Sequence, residues 1–409
     1  MTSSTASHSR ADGRATFDEI MVHLHENLRP GDVVLTMGAG DINEIAYRLG
    51  ERLRAGDFLQ TSPGAGNKPS AVRHESESET PRTASPDDDR RQPRIAVAMG
   101  GPSSEREVSL NSGRAVAAAL KTVGQDVTEV DLKDEDIAPL IEGGFDVVFV
   151  ALHGAFGEDG KIQTLLENAG LPYTFSRPAA SSLAMDKYVS KVTFNEKGVP
   201  TPPFAMPTGR NVTKELRSFV GEHGWPLVVK PVSQGSSIGV TICEDETALT
   251  EAVAAVRDLN DRVLVERYIA GREFTVGILD NEALPVIELV TPHAFYDYSA
   301  KYVDHTTSYL FDVDLPKETY AEIQSLGLVA HRGLGCRDLS RVDLRMDGDG
   351  RLYVLEVNTI PGFTATSLVP KAAKRAGLEF GELCLKLVRM AWSRRESTGV
   401  AGGAMKGER

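Results

Sequence analysis

The chain has 409 residues, 41% hydrophobic and 25% charged, the balance of a water-soluble globular protein with room for several domains. Its formal net charge of −13 argues against a non-specific binder of nucleic acid or of anionic membranes. Cys243, Cys336 and Cys384 are far apart, odd in number and without a C-x-x-C, so neither a disulfide framework nor a zinc site is expected.

At the N-terminus, MTSSTASHSRADGR has no apolar core of the signal-peptide kind. The longest apolar run, DVVFVAL, is too short to cross a bilayer, so a cytoplasmic protein is expected. Within residues 1–55, DVVLTM reads as a strand, GAG as a turn and DINEIAYRLGERL as an amphipathic helix with Ile42, Ile45, Ala46 and Leu49 on one stripe. A strand, Gly-x-Gly and helix can cradle an anion. The third glycine of a dinucleotide fingerprint is missing, however, and a helix packed on a strand through a tight turn accounts for the pattern. Residues 56–93 are rich in Pro, Ser, Gly and charge with no apolar period, so they read as a disordered linker.

Order is expected from Arg94. RIAVAM reads as a strand, GGPSSEREVSLNSG opens a helix that RAVAAALKTVG completes, and FDVVFVAL is a second buried strand. HGAFGEDG and a helix from Lys161 follow. Strands alternating with helices imply a parallel sheet covered on both faces. A helix near Lys187 to Lys197 precedes Pro200, Pro202 and Pro203. Then come strands PLVVK and SIGVTIC around a Ser/Gly loop, the helical ETALTEAVAAVRDL, and the strand RVLVERYI. From Glu273 strands dominate: EFTVGIL, LPVIELV, SRVDLRM and RLYVLEV. Two helices close this part, one after Ser367 and one from Leu378 to Trp392, and the tail 396–409 is expected to fray.

Four stretches hold residue types suited to chemistry. In VVKPVSQGSSIGV, glycines let the backbone approach a ligand, and amides with the Ser236 and Ser237 hydroxyls can take phosphate oxygens beside the Lys230 charge. A plain hairpin with a polar turn explains the same stretch. No G-x-x-x-x-G-K-[ST] is present, which excludes a Walker-A loop. In VLVERYIAGREFTVGIL, Glu266 and Glu273 flank a connector whose backbone can meet a base edge while a carboxylate takes ribose hydroxyls, or they belong to an ordinary acidic turn. SRVDLRMDGDGRLYVLEVN reads as a hairpin around Asp-Gly that sets Asp343 opposite Glu356 and Asn358. Three oxygen donors on one face suit Mg2+ and a nucleotide, and a solvated sheet face is the alternative. An EF-hand from Asp347 is excluded because Leu352 stands where glycine is required. Finally, GPSSEREVSL puts Glu105 in the first turn of a helix, where the macrodipole or a capping box with Ser103 or Ser104 favours it.

Taken together and in order, GGPSSEREVSLNSG, ALHGAFGEDG, MDKYVSK, VVKPVSQGSSIGV, EFTVGIL, FYDYSAKY, RVDL and LEVNTIPGFTATSLVP resemble the D-alanine–D-alanine ligases of the ATP-grasp superfamily. The resemblance runs from about Arg94 to about Trp392. It implies an α/β fold, α+β in the C-terminal part, with the three-subdomain ATP-grasp architecture: an N-terminal parallel-sheet domain at 94–176, a central lid domain at 177–266 and a catalytic domain at 267–395. It also implies ATP with two Mg2+ ions, Mn2+ being possible, held by Asp343, Glu356 and Asn358. Lys187, Lys230, Ser236, Ser237, Glu266, Arg267, Ile269, Glu273 and Lys301 fall on nucleotide-binding positions. Glu105, His153, Arg341, Gly362, Ser367 and Leu368 fall on D-alanine-binding positions. The catalytic group carried over is Glu105, Ser236, Tyr302, Arg341 and Lys301, with the aromatic segment around Tyr302 as a lid. The partners implied are small molecules, D-alanine and ATP, without nucleic acid or membrane, in a homodimer. A D-alanine–D-lactate ligase is the near alternative, and Tyr302 favours the dipeptide. LRPGDVVLTMGAGDINEIAYRLGERL resembles the C-terminal end of UDP-N-acetylmuramate–L-alanine ligase, as a remnant or as the downstream part of a fused enzyme, without that enzyme's ATP loop or activity.

Overall fold

Strand β1 (Arg94–Gly100) is apolar after its first residue and buried along the whole of that run, the pattern of a parallel strand covered on both faces. The structure, a computed structural model, describes residues 92–209, 211–290 and 308–395, all within one compact unit. The N-terminal strand-turn-helix, the linker up to Arg91, most of the aromatic lid with Lys301 and Tyr302, and the tail lie outside the described residues.

After β1 come α1 (Arg106–Thr122), β2 (Asp126–Leu132), α2 (Ala138–Glu142) and β3 (Val147–Val150). The three strands form a parallel sheet in the order β2-β1-β3. Helices α3 (Lys161–Asn168), α4 (Pro178–Met185) and α5 (Lys187–Glu196) lead onward. Asp186 caps α5, accepting a hydrogen bond from Val189 N at 2.9 Å, which fixes where that helix starts. The next group is β4 (Phe204–Ala205), α6 (Val212–His223), β5 (Leu227–Pro231), β6 (Thr241–Cys243), α7 (Glu246–Asp258) and β7 (Val263–Arg267). Its antiparallel sheet runs β4-β7-β5-β6.

The last group is β8 (Arg272–Leu279), β9 (Glu282–Ala283), β10 (Ile287–Val290), β11 (Ser308–Leu310), α8 (Lys317–Gly333), β12 (Leu339–Met346), β13 (Leu352–Asn358), α9 (Leu368–Arg375) and α10 (Phe380–Ser393). Its sheet is antiparallel, β11-β10-β8-β12-β13, with β9 on β8. The expected class therefore holds: a parallel α/β start and an antiparallel α+β remainder.

Two expectations need correction. The strand expected to resume at Ser237 begins only at Thr241, because Ser236 and Ser237 both have positive φ, 50° and 59°, and turn the chain first. Elements β2, α2, α4, β4, α6, β9, β11 and α8 had no expected counterpart. In α8 the buried face is Ile323, Gly327, Ala330 and His331, small or polar groups that blur the apolar stripe.

Three cores hold the described residues together. One joins the parallel sheet to α9, α10 and the turn after β13, through Phe149, Phe175 and Phe363, whose ring centroids lie 5.5 to 5.8 Å apart. A second lies between α8 and the large sheet, around Phe274, Val276 and Leu344. A third is confined to the four-stranded sheet with α6 and α7.

Candidate active site

The β12–β13 hairpin builds the centre of the site. Asp343 stands directly opposite Glu356, and Arg341 opposite Asn358. Between Asp343 and Leu344 the register shifts, so Leu344 pairs with Val354 and Leu355 becomes an extra residue. Asp343 accepts bonds from Arg341 Nε (2.9 Å) and Nη2 (2.8 Å), from Thr275 Oγ1 (2.7 Å) and from Asn358 Nδ2 (3.1 Å). Asn358 thus directs its nitrogen at Asp343, leaving Oδ1 as its acceptor. Among the described residues no group of three or more His, Cys, Asp or Glu side chains forms a metal cluster. The donor set here is two carboxylates and a carboxamide, all oxygen, which fits a hard cation that also takes ligands from a phosphate and water.

One cleft, about 880 Å³ with its open mouth included, lies between the four-stranded sheet and this hairpin. Every described residue expected to bind nucleotide lines it: Lys187, Lys230, Ser236, Ser237, Glu266, Arg267, Ile269 and Glu273. Val228, Ile242 and Leu355 add apolar walls. Lys187 donates to Gln234 O at 2.6 Å and stands 3.6 Å from Glu356 Oε2. The Glu266 carboxylate, 2% exposed, faces Lys230 at 2.9 Å and Lys191 at 3.1 Å, yet its Oε1 accepts no aligned hydrogen bond. Burial pushes this carboxyl up, but Lys191 and then Lys230 outweigh it and hold it below the ordinary range.

A second cleft, about 1180 Å³ counted the same way, holds Glu105, His153, Arg341, Gly362, Ser367 and Leu368 together. Glu105 is the N-cap of α1, but its side chain makes no cap bond. The carboxylate instead accepts from the Ser236 hydroxyl across the site. Gly154, at φ +69°, sits where a Cβ would come within 2.6 Å of Glu105 Oε2, so a side chain there would strain the backbone and displace that carboxylate. His153 is buried with both ring nitrogens engaged. Nδ1 faces the carbonyl of Ile360 at 3.2 Å and must carry the proton, so Nε2 accepts from Ser112 Oγ at 2.9 Å. Burial drives its pKa down, so this ring is a neutral wall rather than a proton shuttle. Ser367 is the N-cap of α9 without a side-chain cap bond, and its Oγ accepts from Thr364 N at 3.0 Å.

The structure thus assembles every expected site residue it describes into two adjoining clefts that share Gly235, Ser236 and Glu356. Sequence reasoning missed several residues. Lys191 was within reach, because it sits four residues after Lys187 and so on the same helix face. Glu158, which accepts from Gly154 N at 2.8 Å in the second cleft, lies inside HGAFGEDG but follows no strand or helix period. Leu355 enters the first cleft only because of the bulge. Arg345 reaches the same cleft by stacking over Tyr268, 5.1 Å from the ring centroid.

Comparison with known proteins is consistent with this geometry. The family model described as "D-ala D-ala ligase C-terminus" matches residues 193–389, and the one described as "D-ala D-ala ligase N-terminus" matches 138–176. The D-alanine–D-alanine ligase of Marinobacter nauticus is 48% identical over 296 residues, 72% of this chain and 90% of that protein. The enzyme of the same name from Anaeromyxobacter sp. is 46% identical over 296 residues, 72% of this chain and 96% of its own. A crystal structure of the Bacillus anthracis D-alanine–D-alanine ligase superposes with TM-score 0.67 at 36% identity, covering 75% of this chain and 99% of that one. The same enzyme complexed with ATP gives 0.65 at 32%, covering 75% and 100%.

Proposed function

The chain belongs to the D-alanine–D-alanine ligase family and has its ATP-grasp fold, and on that premise we propose how its two clefts divide the reaction. The chain joins two D-alanines into D-alanyl-D-alanine, driven by ATP, for peptidoglycan precursor synthesis. ATP occupies the cationic cleft. Its base lies along the connector from Arg267 to Ile269 between Val228, Ile242 and Leu355, with the connector's backbone groups meeting the base edge and Glu266 beside it. Glu273 takes ribose hydroxyls. Lys187, Lys230, Ser236 and Ser237 take phosphate oxygens. Asp343, Glu356 and Asn358 would hold Mg2+, two ions or Mn2+ in their place, which would neutralise phosphate charge.

The acidic cleft takes the amino acids. Glu105 receives the ammonium of the first D-alanine beside His153. Ser367 and the Leu368 amide, opening helix α9, receive the carboxylate of the second, with Gly362 against it. A carboxylate oxygen of the first D-alanine attacks the γ-phosphorus and ADP leaves, giving an acyl phosphate. The amine of the second attacks that carbonyl, and phosphate leaves. Arg341, clamped by Asp343, stabilises the tetrahedral oxygen between these steps. Phosphoryl transfer asks for positioning and charge rather than a covalent nucleophile. Water must be kept from the acyl phosphate, a task assigned to the segment with Lys301 and Tyr302.

The observation that carries this reading is the wall the clefts share: Ser236 and Glu356 line both, so a phosphate donor and an amino acid meet there. The proposal extends to subdomains at 94–176, 177–266 and 267–395, a cytoplasmic homodimer, and residues 1–55 without a catalytic centre of their own. The test is phosphate release from ATP with D-alanine, with L-alanine, and with D-alanine plus D-lactate. Release with D-alanine alone, forming the dipeptide, is expected. Release only when D-lactate is added would assign the depsipeptide reaction instead. Tyr302→Lys should move the product ratio toward D-alanyl-D-lactate, most clearly at low pH, where the competing amine is protonated.

A further inference from the structure

Two lysines face one buried carboxylate, and they are not equivalent. Lys230, on β5, is 13% exposed and lines the nucleotide cleft. Lys191, on α5, has no exposed surface. Its Nζ donates to Thr201 Oγ1 at 2.7 Å, and that hydroxyl in turn donates to Val354 O at 2.8 Å. The Phe204 ring lies 5.8 Å away on another side. A lysine so enclosed cannot touch a ligand, yet a buried ammonium is costly unless it has a partner that needs it. That partner is Glu266, at 3.1 Å.

We propose that Lys191 is a positioning residue, the resident counter-ion of Glu266, and that it lets Lys230 leave this carboxylate for the phosphates of a nucleotide. The idea rests on the nucleotide reading of the cleft. A buried carboxylate stripped of its only cation costs far more than the pair contributed. Were Lys230 that only cation, each phosphate contact it made would work against the penalty. With Lys191 fixed on the far side, Glu266 keeps an ion pair whether the cleft is empty or filled. The three groups sum to one positive charge. Moving Lys230 outward leaves a neutral pair behind and delivers that charge to the phosphates. The groups around Lys191 accord with this: burial pulls its pKa down to about 8, Glu266 and Glu356 draw it up, and Lys230 pushes it down.

The test compares ADP with adenosine, which share base and ribose but not phosphates. Both are titrated calorimetrically into the full-length protein in metal-free buffer. The wild type should prefer ADP; if it binds neither compound, the cleft reading itself fails, and Lys191 with it. Lys191→Met should lower the ADP-over-adenosine preference by at least about tenfold, with adenosine affinity changed less than about threefold. Equal losses for both ligands would reduce Lys191 to packing, and an unchanged preference would overturn the proposal. Adding Glu266→Gln to the same chain removes the charge that holds Lys230 and should return the preference to within about threefold of wild type. Should Lys191→Met fail to fold, Glu266→Gln alone decides the matter. The preference should then hold or rise, and a fall beyond about threefold overturns the proposal.

Discussion

Glu266 and Glu158 are the same side chain in adjoining clefts, and their surroundings drive them apart. Lys191 and Lys230 hold Glu266 ionised although it is almost wholly buried. Burial and then the Glu105 charge push the Glu158 carboxyl up to about 8, although Glu158 keeps a partial opening to its cleft. Burial alone does not decide the charge of an acid; the sign of its neighbours does. The difference matches what each cleft is proposed to receive. Cations gathered around one acid suit a polyphosphate, and acids gathered around a neutral histidine suit an ammonium.

The contrast is broken most severely at the wall the clefts share. Glu356→Gln removes a charge that faces both ligands, and kcat should fall about 100-fold or more. Thermal unfolding should stay within a few degrees of wild type; near-normal turnover by the folded variant would remove Glu356 from the mechanism. On the acidic side alone, Glu105→Gln should raise KM for D-alanine about tenfold or more and leave KM for ATP unchanged. A parallel rise for both substrates would contradict the division between the clefts.

A smaller effect belongs to Glu158. Its folded pKa of about 8 stands above the ordinary value of 4.5, so the folded chain binds more protons than the unfolded one between these values. The stability this group contributes is present below about pH 4.5 and is lost as pH rises toward about 8. Melting curves of ligand-free protein should show this decline, and Glu158→Gln should flatten it. An identical slope in the variant would assign the decline to other groups. Least affected should be a chain lacking the residues before Gln92, whose ligase activity is expected within about twofold of the full chain, given three cores that close among the described residues. Loss of activity on this truncation would show that the N-terminal segment supports the clefts.

Much of this is legible in the sequence itself. The hairpin partners Asp343 and Glu356 followed from a period of two and an Asp-Gly turn, and the parallel start followed from RIAVAM and DVVFVAL alternating with helices. What escaped did so for physical reasons. Leu355 reaches a cleft through a bulge, which breaks the very period used to assign faces. The strand after the Ser/Gly loop started late because two serines occupy left-handed conformations that no residue preference announces. Lys191 and Glu158 owe their behaviour to distant partners, Glu266 75 positions away and Glu105 across the parallel sheet's end, and separations of that kind are set by the tertiary fold alone.

The stack of Phe149, Phe175 and Phe363, extended by Phe380 at 5.7 Å from Phe363, has a mechanical consequence. It rivets the parallel sheet to the turn after β13, so Glu105, His153 and Gly362 sit on one packed body, while Ser236 closes the acidic cleft from the loop of the four-stranded sheet. The four-stranded sheet has an apolar core of its own and meets that body through polar pairs, Lys191–Glu266 among them. Any separation of the two would part the Ser236 hydroxyl from Glu105 and so open both clefts at the wall they share.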